Sequence, residues 1–508
     1  MPLMYCHAKL KNISQHTVIS AHLFLPDYSP MNRDSFYPAI ACFPLLLMLA
    51  GCAPMHEPRQ ALSQQTPAVQ VDTALPTALK NGWPDSQWWL EYHDNQLTSL
   101  INNALQNAPD MQVAEQRIQL AEAQAKAVAT QDGPQLDFSA DMERQKMSAE
   151  GLMGPFALND PAAGTTGPWY TNGTFGLTAG WHLDIWGKNR AEVTARLGTV
   201  KARAAEREQT RQLLAGSVAR LYWEWQTQAA LNTVLQQIEK EQNTIIATDR
   251  QLYQNGITSS VEGVETDINA SKTRQQLNDV AGKMKIIEAR LSALTNHQTK
   301  ALKLNPVALP KVASQLPDEL GYSLLARRAD LQAAHWYVES SLSTIDAAKA
   351  AFYPDINLMA FLQQDALHLS DLFRHSAQQM GVTAGLTLPI FDSGRLNANL
   401  DIAKAESNLS IASYNKAVVE AVNDVARAAS QVQTLAEKNQ HQAQIERDAL
   451  RVVGLAQARF NAGIIAGSRV SEARIPALRE RANGLLLQGQ WLDASIQLTG
   501  ALGGGYKR

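Results

Sequence analysis

Two stretches decide the fold: Gly176–Arg190, GLTAGWHLDIWGKNR, and Gly381–Arg395, GVTAGLTLPIFDSGR. They are one motif written twice. Gly, Thr, Ala, Gly, Leu, Ile and Arg recur in register at an offset of 381 − 176 = 205. Upstream, Asp110, Ala114, Pro134, Leu136 and Phe138 match Asp330, Ala334, Pro354, Ile356 and Leu358 at an offset of 220. Downstream, Tyr253-Gln254-Asn255-Gly256-Ile257 matches Phe460-Asn461-Ala462-Gly463-Ile464 at an offset of 207. Three matches in one order mean a duplicated fold. The fall in offset from 220 to 205 places a shorter loop in the second half.

Both motifs alternate with period 2, which predicts strands with one apolar and one polar face. In the first, Phe175, Leu177, Ala179, Trp181, Leu183 and Ile185 share a face, and Gly176, Thr178, Gly180, His182 and Asp184 take the other. In the second, the apolar face is Val382, Ala384, Leu386, Leu388 and Ile390. A further strand precedes each: Leu136, Phe138, Ala140 and Met142, then Ile356, Leu358, Ala360 and Leu362. Loops of Gly151–Thr174 and about Gln364–Gln379 join the pairs. Such strands, about 10 residues long, cross a bilayer when tilted. Four cannot close, and an open edge in lipid strands its backbone polar groups. The pattern therefore requires several copies of the chain in one barrel.

Around the strands the period is 3.6. Asp94–Asn107 places Leu97, Leu100, Ile101 and Leu105 on one face, and Pro109-Asp110 opens a second helix that runs to about Gln131. From about Lys188 to Tyr253 no proline interrupts the helical pattern. That length, ~100 Å, exceeds a globular helix and argues for a coiled-coil-like array. Its stripe is Leu214, Val218, Leu221, Trp225, Leu231, Val234, Leu235 and Ile238. Gly256 turns the chain, and a helix returns from about Ser259 to Leu294. The second half repeats this with helices from about Leu331 to Ala351 and Leu396 to Phe460, a turn at Gly463, and a last helix towards Leu502.

The predicted organisation is a first repeat over 94–295, a polar linker over 296–320 and a second repeat over 321–508. Ahead of these, residues 1–51 read as a signal peptide, because Phe36–Gly51 is an apolar run too short to span a bilayer, and the long, mixed segment before Met31 makes Met31 a candidate true start. It ends in Leu49-Ala50-Gly51-Cys52, two small residues before a cysteine, which resembles the lipobox of bacterial lipoproteins and implies lipidation at Cys52. Residues 52–93 then read as an extended, lipid-anchored segment, and Ala53 after the cysteine implies the outer membrane. Cys6, Cys42 and Cys52 are the only cysteines, so the body carries no disulfide.

The net charge of −3 gives no case for nucleic acid. The eleven histidines show no metal spacing, and no Walker A loop or GxSxG elbow is present. We expect no catalytic residue, metal or cofactor. His335 and His441 read as helix-surface groups.

Trp88-Trp89, Asp94…Leu100-Ile101…Ala104-Leu105…Asn107, Leu324-Leu325-Ala326-Arg327-Arg328-Ala329-Asp330-Leu331, Phe352-Tyr353-Pro354 and Leu388–Arg395 together resemble the TolC-like outer-membrane efflux factors, in their NodT-type lipoprotein branch. The likeness covers nearly everything after residue 52. Ala329 departs from it, since the family usually has Pro there. The resemblance implies a mixed α and β, internally duplicated TolC-like fold. Each half would give two transmembrane strands and long periplasmic helices to a homotrimer, a twelve-stranded β-barrel on a twelve-helix α-helical barrel. It implies docking to a periplasmic adaptor and an inner-membrane pump, with drugs, dyes and other amphiphiles as cargo.

In that family, acids shortly after the helix-tip glycine form a constricting ring. The matching positions here are Glu262 and Glu265 after Gly256, and Arg469 and Glu472 after Gly463. Arg469 departs from the pattern, and we expect it to pair with a first-half glutamate in the closed duct. Thr178, His182, Asp184, Thr383 and Thr387 are the expected lumen residues. Two competing functions are an exit duct for a peptide or polysaccharide and a non-conducting envelope scaffold. The alternating strands argue against the scaffold.

Overall fold

The computed structural model describes residues 62–64, 83–148, 169–257, 259–296, 302–311, 324 and 326–506, with backbone alone at Ser260 and Glu262. The signal peptide, Met31 and Cys52 lie outside the described residues. Every element below belongs to the compact unit of residues 53–508.

The first repeat runs α1 (Asn95–Asn107), α2 (Pro109–Ala129), β1 (Gln135–Lys146), β2 (Trp169–Leu183), α3 (Lys188–Gln254) and α4 (Ser260–Leu294). The second runs α5 (Ala329–Ala350), β3 (Asp355–Ala366), β4 (Gln378–Thr387), α6 (Arg395–Asn461) and α7 (Gly467–Ala501). The duplication is close: α3 and α6 are each 67 residues, and α4 and α7 are each 35. At each tip the turn glycine, Gly256 or Gly463, sits at φ 71° or 70°, a region a side chain resists.

Two expected loops are shorter than read. β2 begins at Trp169, because residues 169–174 pair with β1 residues 141–146. β3 continues to Ala366. The internal match also needs correcting at one place. Alignment at offset 205 sets Arg190 against Arg395, but α3 and α6 superpose in sequence at 395 − 188 = 207. Four residues, 184–187, join β2 to α3, and seven, 388–394, join β4 to α6, so the turn is three residues longer in the second half. Each turn is built around an aspartate that caps the coming helix, and the reach differs. Asp184 accepts from the amides of Asn189 (3.0 Å) and Arg190 (2.9 Å), whereas Asp392 accepts from Gly394 (3.0 Å) and Leu396 (2.8 Å).

The main core lies midway along the long helices. Leu97, Ile101, Val218, Tyr222, Leu291 and Leu492 are sealed in it. Trp88 and Trp89 join them from a 3-10 turn, so the chain before residue 94 is not all extended. A second cluster, with Leu331, Val338, Tyr414, Val425, Val432 and Leu498, serves the other half. Nearer the sheet the helices meet through small residues. Ala195, Gly198, Ala202 and Ala205 of α3 are buried, and a Cβ on Gly198 would lie 3.0 Å from that of Ser340 in α5. His335 is half-buried, with its ring 6.4 Å from that of Tyr414, rather than on the surface.

Part of the polar linker is a bound strap. Residues 302–311 run across the core under glutamine clamps. The Gln226 amide donates to the Asn305 carbonyl (2.9 Å) and accepts from the Val307 amide (2.8 Å). Gln96 accepts from Asn305 N (3.0 Å), and Gln488 donates to Pro310 O (3.1 Å). These side chains satisfy the strap's backbone as a neighbouring strand would. Gln226→Leu removes two bonds to the strap, whose Asn305 and Val307 are exposed and whose Asn305 carbonyl keeps Gln96 as a donor, and should cost about 0.5–1.5 kcal/mol. Leu97→Ala should cost about 2–5 kcal/mol. Both are read from the thermal midpoint of the detergent-extracted protein, which should fall further for Leu97→Ala.

Candidate functional site: sheet faces and helix tips

The strands form one antiparallel sheet in the order β1-β2-β3-β4. Directly opposed residues point to the same face, so the register tests the alternation. One row is Leu136, Ala179, Ala360 and Val382, and the next is Phe138, Leu177, Leu362 and Met380. All the apolar residues expected within the strands fall on this face. Those on the outer strands are bare: Val382 is 83% exposed, Leu136 68% and Phe138 67%, while Phe175, Leu183, Ile356 and Leu358 are half-buried. Past the strand ends Ile185, Trp186, Tyr353, Ile390 and Phe391 extend the exposed apolar surface towards the helices. Trp186 stacks on Tyr353 at 5.0 Å and donates its indole N–H to the Pro354 carbonyl (2.7 Å), while Trp181 donates to the Asp132 carbonyl (2.9 Å). Rings with a satisfied polar edge suit a membrane–water interface.

The opposite face carries Thr178, His182, Thr383 and Thr387, four of the five expected polar-wall residues. His182 Nδ1 lies 3.1 Å from Asp355 Oδ2. Asp184 does not belong to this wall. It lies beyond β2 with its side chain only 9% exposed and serves as the α3 cap. Burial alone would raise its pKa. The Arg190 and Asn189 amides and the Arg190 guanidinium outweigh that and hold the carboxyl below its usual range. Sequence alternation carried Asp184 onto the polar face because nothing local marks where a strand stops. Alternation also concealed Met359 and Phe361, which sit on the polar face because β3 residues Asp355, Asn357, Gln363 and Asp365 share it.

At the tips, Arg469 pairs with Glu472 on its own helix (2.6 Å) and, among the described residues, with no first-half glutamate. An i,i+3 partner is always within reach, whereas Glu265 sits exposed on another helix. The Glu472 hydrogen bond and charge raise the Arg469 pKa, and Asp249 of α3 adds to this. Glu262's side chain lies outside the described residues. The bond that joins the halves here is Arg474 to Glu241 (3.3 Å), with Arg474 also donating to Gln457 (3.1 Å). Sequence reasoning missed it, since its partners stand 233 residues apart.

Outside the sheet, the N-terminal run at residues 62–64 lies on α6. Leu62 N donates to Asn408 Oδ1 (3.0 Å), and Asn415 Nδ2 donates to Ser63 O (2.9 Å). Among the described residues no helix is long and apolar enough to cross a membrane.

The outer membrane efflux protein family matches residues 100–297 and 320–504. The chain belongs to that family. It is 98% identical over 478 residues to the multidrug resistance outer membrane protein MdtQ of Escherichia coli O157:H7, covering 94% of this chain and 100% of that one. It is 36% identical over 468 residues to the multidrug resistance outer membrane protein MdtP of Shigella flexneri, covering 91% and 94%. The crystal structure of the Campylobacter jejuni CmeC outer membrane channel superposes with a TM-score of 0.76, at 19% identity, covering 90% of this chain and 95% of that one. This chain has the TolC-like channel fold. It is an outer-membrane protein of a transport family rather than of an enzyme family.

Arg474→Ala should unpair Glu241 and loosen the α7 tip by about 0.5–1 kcal/mol, since the pair is partly exposed. Amide hydrogen exchange over residues 467–476 should speed up two- to fivefold, while Arg469→Ala, losing an exposed local pair, should change it less.

Proposed function

We propose that this chain is the passive exit duct of a tripartite efflux system that exports drugs, dyes and other toxic amphiphiles and so confers resistance. The observation that carries the reading is a four-stranded sheet with one apolar face and, among the described residues, two unpaired edges, borne on a pair of 67-residue helices. Water cannot satisfy those edges in lipid, so the sheet must be closed by other copies. Three copies give twelve strands, an even number within the range of known barrels. The same three copies set the long helices side by side as a tunnel in the periplasm. The apolar face then meets lipid, and Thr178, His182, Thr383 and Thr387 line the lumen. MdtQ and MdtP are named for multidrug resistance, which supports the substrate class.

The tips at Gly256 and Gly463 carry the gate. Glu262, Glu265, Arg469 and Glu472 ring the periplasmic mouth, and Arg474 ties it shut to Glu241. A periplasmic adaptor docks there and couples the duct to an energised inner-membrane pump.

Lipidation at Cys52 anchors each copy to the outer membrane. Ten residues separate Cys52 from Leu62 and reach at most ~35 Å. Asn408, which holds Leu62, is 408 − 395 = 13 residues into α6, ~20 Å below the strands. The tether is therefore long enough to return to the membrane surface. Several acyl chains per trimer would hold it there.

The test is conductance of the detergent-extracted protein in a planar bilayer with its mass measured in parallel. A trimer with a small conductance that Arg474→Ala enlarges is expected. A monomer that leaves the membrane without detergent and never conducts would sink the duct. Cys52→Ser should abolish labelling by a radioactive fatty acid and leave the conductance of assembled trimers unchanged.

A further inference from the structure

The glycines that recur in the two motifs have a shared position. On the polar face of β3 four side chains follow one another: Asn357, Met359, Phe361 and Gln363. Each has a glycine directly opposite on a neighbouring strand, alternating sides. Asn357 faces Gly385, Met359 faces Gly180, Phe361 faces Gly381 and Gln363 faces Gly176. A Cβ on Gly381 would lie 2.7 Å from the Phe361 ring, and one on Gly176 would lie 2.5 Å from Gln363 Cα. A Cβ on Gly385 would overlap the Asn357 amide. The missing side chains let the Phe361 ring lie along the wall over Gly381 instead of standing off it.

The charge around this strip has one sign. Among the described strand residues the polar face carries Asp137, Asp141, Glu143, Asp355 and Asp365, and its residues include no lysine or arginine. Asp137 and Phe361 share a row through Thr178. Two strand spacings put them ~10 Å apart, about the span of a fused aromatic ring system with an offset cation.

We propose that Phe361 and Met359 form a contact track for cationic aromatic amphiphiles, with Asp137 as counter-charge. This rests on the reading that the polar face lines the lumen. The flat ring and the thioether take the apolar body of the cargo, and the carboxylates hold its charge without a buried ion pair that would trap it. Contacts that are shallow and repeated in each subunit favour passage over retention.

The experiment is block of single-channel current by ethidium in planar bilayers, with tetraethylammonium as an aliphatic cation of similar charge. Phe361→Leu keeps Gly381 covered but removes the π-face. It should raise the half-blocking concentration of ethidium about fivefold and leave that of tetraethylammonium unchanged. Asp137→Asn should raise both about threefold. Thr178→Cys and Val382→Cys are labelled in parallel with a membrane-impermeant thiol reagent. If Thr178→Cys responds in the current while ethidium block in Phe361→Leu equals wild type, the track is refuted and Phe361 merely covers a glycine. If Val382→Cys responds and Thr178→Cys does not, the lumen reading itself falls, and the track with it.

Discussion

An unpaired backbone N–H or C=O has nowhere to go in hydrocarbon, and that constraint shapes the rest of this molecule. Among the described residues the sheet ends in two edge strands, β1 and β4, with no further strand paired to either, and each edge is a row of polar groups that lipid cannot satisfy. On its apolar face Leu136, Phe138 and Val382 are exposed. Such a sheet is not a finished structure but a segment of one. The duplication follows from the same need: two hairpins per chain halve the number of copies that a barrel takes to close, and each hairpin must be delivered by helices that return to the same level.

Those helices are held by close approach more than by large apolar side chains. Alanines and Gly198 line the α3–α5 contact, where Ser340 donates to the Ala195 carbonyl (2.7 Å). Bulk is concentrated midway, where Trp88, Trp89, Tyr222 and Trp223 pack together. There, too, glutamines from α1, α3 and α7 hold the connecting strap. The molecule is thus tied at its middle and at its strand–helix turns. Towards the tips a smaller apolar cluster, Val234, Leu235, Ile238 and Val280 with Ala482, joins the halves, beside the partly exposed pair Arg474 to Glu241, worth little alone.

The wall of the sheet separates two properties that alternation treats as one. The lipid face is apolar through its middle rows, since a charge there costs several kcal/mol at mid-bilayer, and it admits Arg144 and Lys146 only at the far end of β1. The other face is only required to tolerate water, and it admits Met359 and Phe361 among carboxylates. The recurring glycines belong to this freedom. They flank β3 from both sides and set how far its side chains project.

Much of this was legible in the order of residues. The repeat, the strands, the two long helices with their returns and the apolar face all follow from periodicity, which backbone geometry imposes locally. What periodicity could not supply was where elements stop and whom they meet. Asp184 continues the alternation by one residue yet caps a helix, and the two motifs that align at 205 feed helices that align at 207. Arg469 was expected to reach across and instead bonds Glu472 one turn away, while Arg474 makes the long-range pair. Secondary structure was set by short-range spacing and burial pattern, and the sequence determined it alone. Strand ends, helix caps, the strap and the charge partners depend on distances between residues far apart in the chain, and only the tertiary structure decided them.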